Sequence, residues 1–329
     1  MNPIYIKEYE FVDILHNDEN SIVIIQNGDE PSCLIELDGF QFSVSVCTDK
    51  RSKIYKLDNI DYKSNIILKV NEKYIETRVN KYPSWPDEII MSTVVKYEDE
   101  YVIQWIKYHE MFGVTRFVFY DNADNKILQS NYTASKSLYT NLSNILKEYI
   151  DNGKVLLINW PYQGDEIRQM FQPNQENHSI NAFKKCKYIG FLDVDEYVNP
   201  QTSETNLHVI LGNSCTNGGY SLEVRNFSNY QGLPEDAYKF MDVYTCDNFI
   251  VSNDPNTRGD KVFINPKNVY AHRIHRITSL GIESTLLPRS LIYVNHYRFL
   301  NKHFRNRHYV PCVDDSIRRF KSFLQCPPF

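Results

Sequence analysis

The sequence has little glycine, no long apolar run and no large excess of one charge. Only 12 of the 329 residues are glycine, which excludes a collagen-like chain or a long glycine-rich linker. About 18 consecutive apolar residues occur nowhere, so we expect no transmembrane segment. The formal net charge is −5, without long blocks of one sign. The surface therefore gives no reason to expect nucleic acid as a partner.

Neither a paired cysteine motif nor a leader pattern is visible in the sequence. The cysteines are scattered: Cys33, Cys47, Cys186, Cys215, Cys246, Cys312 and Cys326. An odd number without CxxC spacing argues against a zinc site and against a complete disulfide framework. The first 13 residues lack a basic segment followed by an apolar core, so we expect no signal peptide. These features predict a cytoplasmic protein, or the soluble form of an enzyme of a membrane compartment.

The composition is that of a folded protein. Apolar residues make up 42% of the chain, which argues against intrinsic disorder. Short β-branched or alternating segments, separated by turn signals, lie at residues 21–25, 40–46, 66–70 and 74–79. They predict a β-rich accessory domain over residues 1–88. Pro83 and Pro86 end regular strand pairing and mark its boundary.

Strands and helices alternate from residue 89 onward. Strands are predicted at residues 90–96, 114–120, 155–160 and 188–192, and helices at residues 101–112, 138–149 and 175–185. This order predicts an α/β domain with a mostly parallel sheet flanked by helices. Trp105 and His109, one turn apart on the first helix, are expected to pack in the core. Ligands bind beyond the C-terminal ends of such strands, where the polar residues are Lys96, Glu98, Asp121, Asn122, Asp193, Asp195 and Glu196.

Asp193 and Asp195 follow an apolar strand and, being two residues apart, face the same side. Two carboxylates at a strand end can hold Mg²⁺ or Mn²⁺, which prefer oxygen ligands and keep positions open for phosphate. Neutralising a diphosphate leaving group is a task for such a site. The competing interpretation of an isolated DxD motif is a solvated acidic turn. A phosphatase of the DxDx(T/V) kind is disfavoured, because Tyr197 stands at the fifth place and the motif comes late in the sheet.

Three blocks of the sequence form a recognisable pattern. They are Val94-Val95-Lys96-Tyr97-Glu98-Asp99-Glu100-Tyr101 with Gln104-Trp105 and Phe119-Tyr120-Asp121-Asn122, then Gln175, Cys186 and Gly190-Phe191-Leu192-Asp193-Val194-Asp195-Glu196-Tyr197, and finally Lys261-Val262-Phe263-Ile264-Asn265-Pro266 with Asn295-His296-Tyr297-Arg298. Together these blocks resemble glycosyltransferase family 92 and its family-2-like relatives. The resemblance covers about residues 89–305 and leaves residues 306–329 as a C-terminal helical tail. It implies a GT-A (Rossmann-like) glycosyltransferase domain with a DxD motif.

The resemblance also implies roles for single residues. Asp195 would bind Mn²⁺ or Mg²⁺ directly, and Asp193 would bind the ribose or share the metal. Glu196 would either support the metal ligands from behind or hold the motif in place. The residues implied to line the nucleotide and sugar-phosphate pocket are Lys96, Glu98, Asp121, Asn122 and Gln175.

A late histidine, His296, is the candidate for a third metal ligand or a diphosphate contact. The alternative is a core histidine, because Tyr293 and Tyr297 flank it. His272 and His275 compete for the same role.

An inverting transfer also needs a base that takes the proton of the acceptor hydroxyl. The stretch 224–236 is expected to cover the acceptor side. Its polar candidates are Asn226, Glu235 and Asp236, and Asp260 is a further candidate. The sequence does not choose among them.

The predicted function is metal-dependent transfer of a hexose or related sugar from a nucleoside diphosphate donor to a hydroxyl of a glycan or glycoconjugate. The donor is expected to be UDP-linked, and the transfer is expected to invert the configuration of the sugar. The alternative is a non-catalytic carbohydrate- or partner-binding module on the same fold. The intact pair of Asp193 and Asp195 argues against this alternative. A two-metal nuclease or nucleotidyltransferase would need a third acid and a basic groove, and the charge balance indicates no such groove.

Overall fold

The structure of the protein is a computed structural model. The structure describes residues 1–28, 31–46, 52–95, 102–122, 142–160, 168–212, 218–229, 249–251, 260–273, 276–277 and 282–297. The predicted C-terminal helical tail, residues 306–329, lies outside the described residues.

The first 88 residues are built from β-strands, as their alternating pattern predicted. After a short 3₁₀ helix at Lys7–Tyr9, the strands are β1 (Phe11–His16), β2 (Ile22–Asn27), β3 (Ile35–Leu37), β4 (Phe40–Gln41), β5 (Ser43–Val46), β6 (Ser52–Leu57), β7 (Asn65–Val70), β8 (Lys73–Arg78) and β9 (Asn80–Lys81). They form a five-stranded sheet in the order β5-β6-β2-β1-β9 and a four-stranded sheet in the order β4-β3-β7-β8. Phe42 separates β4 from β5, so the single strand predicted at residues 40–46 is two strands in different sheets.

A seven-stranded sheet forms the centre of the remaining chain. Its strands are β10 (Ile89–Val95), β11 (Arg116–Asp121), β12 (Val155–Asn159), β13 (Tyr188–Phe191), β15 (Gly219–Leu222), β18 (Lys261–Ile264) and β21 (Thr285–Leu286), in the order β12-β11-β10-β13-β18-β15-β21. Strands β12, β11, β10 and β13 run parallel, whereas β18 is antiparallel to both β13 and β15. The sheet is therefore mixed: the predicted parallel part is present, and an antiparallel strand follows it.

The helices between these strands are α1 (Val102–Glu110), α2 (Leu142–Ile145), α3 (Lys147–Asp151), α4 (Arg168–Ala182) and α5 (Leu207–Ile210). Helix α1 ends at Glu110, two residues before the predicted end at residue 112, and the turn after it closes at Gly113, whose φ of 86° is in the left-handed region. The single helix predicted over residues 138–149 is two short helices in the described part of that segment, α2 and α3. The helix predicted over residues 175–185 begins at Arg168 and contains Pro173, a residue that more often stands at a helix start.

A second sheet continues from the acidic motif. It has the order β14-β22-β16-β17 and contains β14 (Glu196–Pro200), β16 (Val224–Asn229), β17 (Phe249–Val251) and β22 (Ile292–Tyr297). The remaining strands, β19 (His272–Arg273) and β20 (Arg276–Ile277), pair with each other. In the part of the chain that the structure describes, no helix is both long and apolar enough to span a bilayer.

Buried side chains cover both faces of the seven-stranded sheet, because residues of a strand alternate between its faces. Met91 of β10 packs with Trp105 of α1 in one cluster. Its neighbour Ile90 packs with Ile180 of α4 in another. This second cluster also contains Val23 of the N-terminal five-stranded sheet. The N-terminal strands thus form sheets of their own but share a hydrophobic core with the central sheet.

Candidate functional site

The ends of the parallel strands meet at one edge of the central sheet. Asp121 at the end of β11 is in register with Val95 of β10 and with Asn159 of β12. The backbone N–H of Asn122 donates to the carbonyl of Val95 at 3.0 Å, so the chain stays in line beyond the strand. Because Phe191 ends β13, the following residues, including Asp193, lie at the same edge.

The acidic motif forms a tight turn between β13 and β14. The backbone N–H of Glu196 donates to the Asp193 carbonyl at 3.0 Å, and the Asp193 N–H donates to Glu196 Oε2 at 2.9 Å. These reciprocal bonds fix the turn, as a capping interaction fixes a helix end. Glu196 therefore holds the motif in place, as the resemblance implied.

His296 stands opposite this turn. It is the register partner of Glu196 across the antiparallel pair β14–β22. Its Nε2 lies 3.2 Å from Asp195 Oδ2, and its Nδ1 lies 3.3 Å from Glu196 Oε1. One ligand atom from each of the three residues lies within 4.8 Å of the others. Two carboxylates and an imidazole at this spacing suit a divalent cation, so the residues present fit a metal ion.

Lys261 borders the same turn and was not among the predicted site residues. It is the first residue of β18 and is 5% exposed. Its Nζ lies 2.9 Å from Asp193 Oδ2 and 2.8 Å from Glu196 Oε2. Burial alone would lower the pKa of Lys261, but the two carboxylates outweigh it and hold that pKa well above its ordinary value of 10.5. The side chain is therefore a fixed positive charge within the acidic group.

The buried Glu196 carboxyl is electrostatically perturbed. Burial raises its pKa above the ordinary value, and the neighbouring Asp193 and Asp195 act in the same direction. Lys261 and His296 oppose this shift. Lys261 and His296 therefore help the Glu196 carboxyl to remain ionised.

Helix α1 supports the motif from the other side. Trp105 Nε1 donates to the backbone carbonyl of Glu196 at 2.9 Å, and the Tyr108 hydroxyl donates to the Val198 carbonyl at 2.6 Å. Trp105 and His109 are fully buried. The expectation that they pack in the core is confirmed, and Trp105 in addition holds the start of β14.

The other predicted site residues are placed as follows. Asp121 is half-buried at the sheet edge, and Asn122 beside it is buried. Gln175 is buried and donates through Nε2 to Ser92 Oγ at 2.7 Å, between α4 and β10. The residues that lie outside the described part of the chain are Lys96, Glu98, Glu235, Asp236 and His275.

Two further predicted residues lie close to the site in sequence or register. Asp260 directly precedes Lys261. Asn226 of β16 is the register partner of His296 across the parallel pair β16–β22. The competitor His272 is held elsewhere, since its Nδ1 lies 2.8 Å from Glu176 Oε2 and both side chains are buried. The structure therefore brings His296, and not His272, to the acidic turn.

Lys261 can be recognised as a site residue only once the strand pairing is known. A lysine directly before the apolar run Val262-Phe263-Ile264 is ordinary at the start of a strand. Its position follows from the antiparallel pairing of Val262 with Phe191, which places Lys261 beside the residues after β13. The block containing Lys261 was part of the resemblance, but nothing local distinguished the residue from a solvated lysine.

Comparisons with known proteins identify the family of the chain. The model of the family described as glycosyltransferase family 92 matches residues 90–325, which is more than two thirds of the chain. A glycosyltransferase family 92 protein of Ricinus communis is 21% identical over 218 residues, covering 65% of this chain and 36% of that protein. One of Arabidopsis thaliana is 22% identical over 226 residues, covering 64% and 35%.

A third relative, a glycosyltransferase family 92 protein of Oryza sativa subsp. japonica, is 25% identical over 114 residues, covering 34% of this chain and 16% of that protein. The matched region thus spans about a third or less of the length of these curated relatives. The family match covers the strand-end edge, the acidic turn, Lys261 and His296. The chain belongs to glycosyltransferase family 92.

Proposed function

We propose that the chain transfers a hexose or a related sugar from a nucleoside diphosphate to a hydroxyl of a glycan or glycoconjugate. UDP is the expected nucleotide. The observation that supports this transfer most is the group formed by Asp195, Glu196 and His296 at the C-terminal edge of the parallel strands. Family membership supports glycosyl transfer as the reaction class. The four parallel strands with polar C-terminal ends support a GT-A arrangement of the domain over residues 89–305.

The proposed metal ligands are Asp195 and His296, with Mn²⁺ or Mg²⁺ as the ion. Glu196 Oε1 lies 3.3 Å from His296 Nδ1, and this contact favours the tautomer that carries the proton on Nδ1. Nε2, which lies 3.2 Å from Asp195 Oδ2, is then the ligand atom. A bound divalent cation would neutralise charge on the diphosphate leaving group.

The nucleotide is proposed to lie along the strand ends, between Asp121 and Asn122 on one side and Asp193 on the other. Asp193 is held by Lys261, and its side chain is 45% exposed. It can therefore accept a hydrogen bond from a ribose hydroxyl beyond the edge. Lys96, Glu98 and Gln175 remain proposals for the same pocket.

The acceptor is proposed to approach from the β16 side, where Asn226 is in register with His296. Asp260, Glu235 and Asp236 remain the candidates for the base that removes the acceptor proton in an inverting displacement. Asp260 is the candidate that the described residues place next to Lys261.

The test is a panel of UDP- and GDP-linked sugars, incubated with the protein with and without Mn²⁺. We expect metal-dependent hydrolysis of at least one donor and thermal stabilisation by its nucleoside diphosphate. Asp195→Asn is expected to lose both. The matched control is Asp87→Asn, because the Asp87 side chain is 83% exposed and lies away from the motif on Lys267.

Three outcomes are informative. Hydrolysis that persists in EDTA would exclude metal dependence. Nucleotide binding without any turnover would favour the non-catalytic binding module. A wild-type protein that neither binds nor hydrolyses any donor would contradict the proposed transferase.

A further inference from the structure

Lys261 is a buried cation with two carboxylate partners. The side chain is 6% exposed, and its Nζ contacts Asp193 Oδ2 at 2.9 Å and Glu196 Oε2 at 2.8 Å. An ammonium group is buried at a large desolvation cost unless it is paired, and here the pairing is with the metal-site motif itself. A lysine that served only the fold could have been an apolar residue in this core position. The location therefore points to a role in the site.

The two oxygens of Glu196 have different neighbours. Oε2 is held by Lys261 at 2.8 Å, and Oε1 faces His296 Nδ1 at 3.3 Å. Lys261 and the backbone N–H of Asp193 both contact Oε2 and together fix the rotation of the Glu196 carboxylate, and Glu196 in turn faces the histidine. Lys261 reaches the proposed ligand atoms through Glu196 rather than by touching them.

The net charge of the acidic turn depends on Lys261. The carboxylates of Asp193, Asp195 and Glu196 carry three negative charges, and Lys261 carries one positive charge, which leaves two negative charges when the imidazole is counted as neutral. A divalent cation balances that remainder. Without Lys261 a negative charge would remain beside the cation and repel the diphosphate, whose metal complex is itself still anionic.

We propose that Lys261 is a positioning residue that matches the charge of this site to a metal–nucleoside diphosphate complex rather than to a free cation. The inference rests on the proposed function, because it assumes that a metal ion and a nucleoside diphosphate bind at the acidic turn. It predicts that removing the lysine charge moves two affinities in opposite directions. The free metal ion gains affinity, since the site becomes more negative, and the nucleotide loses affinity for the same reason.

The experiment is calorimetric titration of the full chain, first with Mn²⁺ alone and then with UDP at saturating Mn²⁺. Lys261→Met is expected to bind Mn²⁺ at least about threefold more tightly and UDP about tenfold more weakly than wild type. Lys261→Arg keeps the charge and is expected to remain within about threefold of wild type for both ligands. The matched control is Lys267→Met, because Lys267 is half-exposed and pairs with the distant Asp87.

A purely structural lysine would give a different pattern. If Lys261→Met weakens Mn²⁺ and UDP in parallel, or changes neither, the inference is wrong. Should Lys261→Met fail to fold, Lys261→Gln decides the matter, because it removes the charge while its amide can still donate to the two carboxylates. It is expected to bind Mn²⁺ more tightly and UDP more weakly than wild type, and a parallel loss of both affinities in the folded variant would overturn the inference. A wild-type protein that binds no UDP with Mn²⁺ would instead overturn the proposed function itself.

Discussion

Glu196 and His296 are about 100 positions apart in sequence and are direct register partners on adjacent antiparallel strands. Side chains of such partners lie on the same face of a sheet, and here Glu196 Oε1 and His296 Nδ1 lie 3.3 Å apart. Strand β14 starts at the acidic turn, so the pairing that holds β22 in the second sheet also delivers a histidine to that turn. Strand pairing, not a flexible loop, sets the position of the proposed third ligand.

The first prediction compares two histidines. His296→Ala is expected to weaken Mn²⁺ binding, measured in the presence of UDP, by about 10- to 100-fold, because Nε2 lies 3.2 Å from Asp195 Oδ2. His272→Ala is the matched control, since His272 Nδ1 lies 2.8 Å from Glu176. It is expected to lower the melting temperature and leave the Mn²⁺ affinity unchanged. If only His272→Ala weakens the metal, or neither variant does, the assignment of His296 is wrong.

Much of the framework of this site was predictable from local sequence patterns. The apolar runs that became β10, β11, β12 and β13, and the polar residues that follow them, are encoded within segments of a few residues. Their parallel direction follows from the helices that connect them. The convergence of Asp121 and Asp193 on one edge could therefore be deduced before any coordinates.

The parts of the site that the sequence did not predict are contacts between segments that are distant in the chain. Lys261 reaches Asp193 across 68 positions, and His178 reaches Asp13 across 165. Neither residue differs locally from an ordinary strand or helix residue, because only the register of long-range pairing decides what they face. The same reason explains why His296 could be proposed from the sequence but not separated there from a core histidine.

The second prediction concerns acid stability and His109. This histidine is fully buried, its Nδ1 lies 2.9 Å from the Trp105 carbonyl, and burial lowers its pKa to about 3. The unfolded chain takes up the proton near the ordinary pKa of 6.5. A lowered folded-state pKa means that stability is fully present above pH 6.5 and is lost as the pH falls towards 3.

The corresponding experiment is urea unfolding at pH 7 and pH 5. His109 is expected to account for about 2 kcal/mol of the stability that the wild type loses between these values. His109→Gln cannot take up a proton, so its free energy of unfolding should fall by about that much less over the same interval. Equal losses in wild type and variant would show that His109 is not the group responsible.

The third prediction concerns the link between the N-terminal strands and helix α4. Asp13 is fully buried and accepts hydrogen bonds from the backbone N–H of Ile4 and Ile14, the Asn80 amide and the Tyr82 hydroxyl. Its Oδ2 also lies 2.9 Å from His178 Nε2, and His178 Nδ1 lies 2.6 Å from the hydroxyl of Tyr120, the residue before Asp121. The N-terminal unit is therefore tied to the strand that ends at the site.

Asp13→Ala is expected to reduce the free energy of unfolding by about 3–5 kcal/mol, because it leaves several buried donors without an acceptor. Asp61→Ala is the control, since Asp61 is exposed, and a surface substitution of this kind changes stability by about 0.5 kcal/mol or less. The measurement is chemical denaturation followed by circular dichroism. A loss for Asp13→Ala no larger than that of the control would show that the N-terminal strands are not energetically coupled to α4.

The last prediction separates the two aspartates of the motif. Asp195 is 4% exposed and lies against His296, whereas the side chain of Asp193 is 45% exposed and is held by Lys261. Asp195→Asn is therefore expected to reduce Mn²⁺ affinity by about 100-fold, because it removes a charged ligand. Asp193→Asn keeps the metal ligands and is expected to leave Mn²⁺ affinity within about threefold of wild type. Its UDP affinity should instead fall about tenfold, because one charged hydrogen-bond acceptor at the strand end is lost.

Both affinities can be measured by calorimetry on the same preparations, so differences in folding cancel within each variant. Asp193 and Asp195 were expected to share one face, and the alternative that both bind the ion predicts equal losses of Mn²⁺ affinity for the two variants. An unequal loss confined to Asp195→Asn would assign the ion to the Asp195–His296 side of the turn. A loss confined to Asp193→Asn would contradict this assignment, because Lys261 would then have to release Asp193 for the metal to bind.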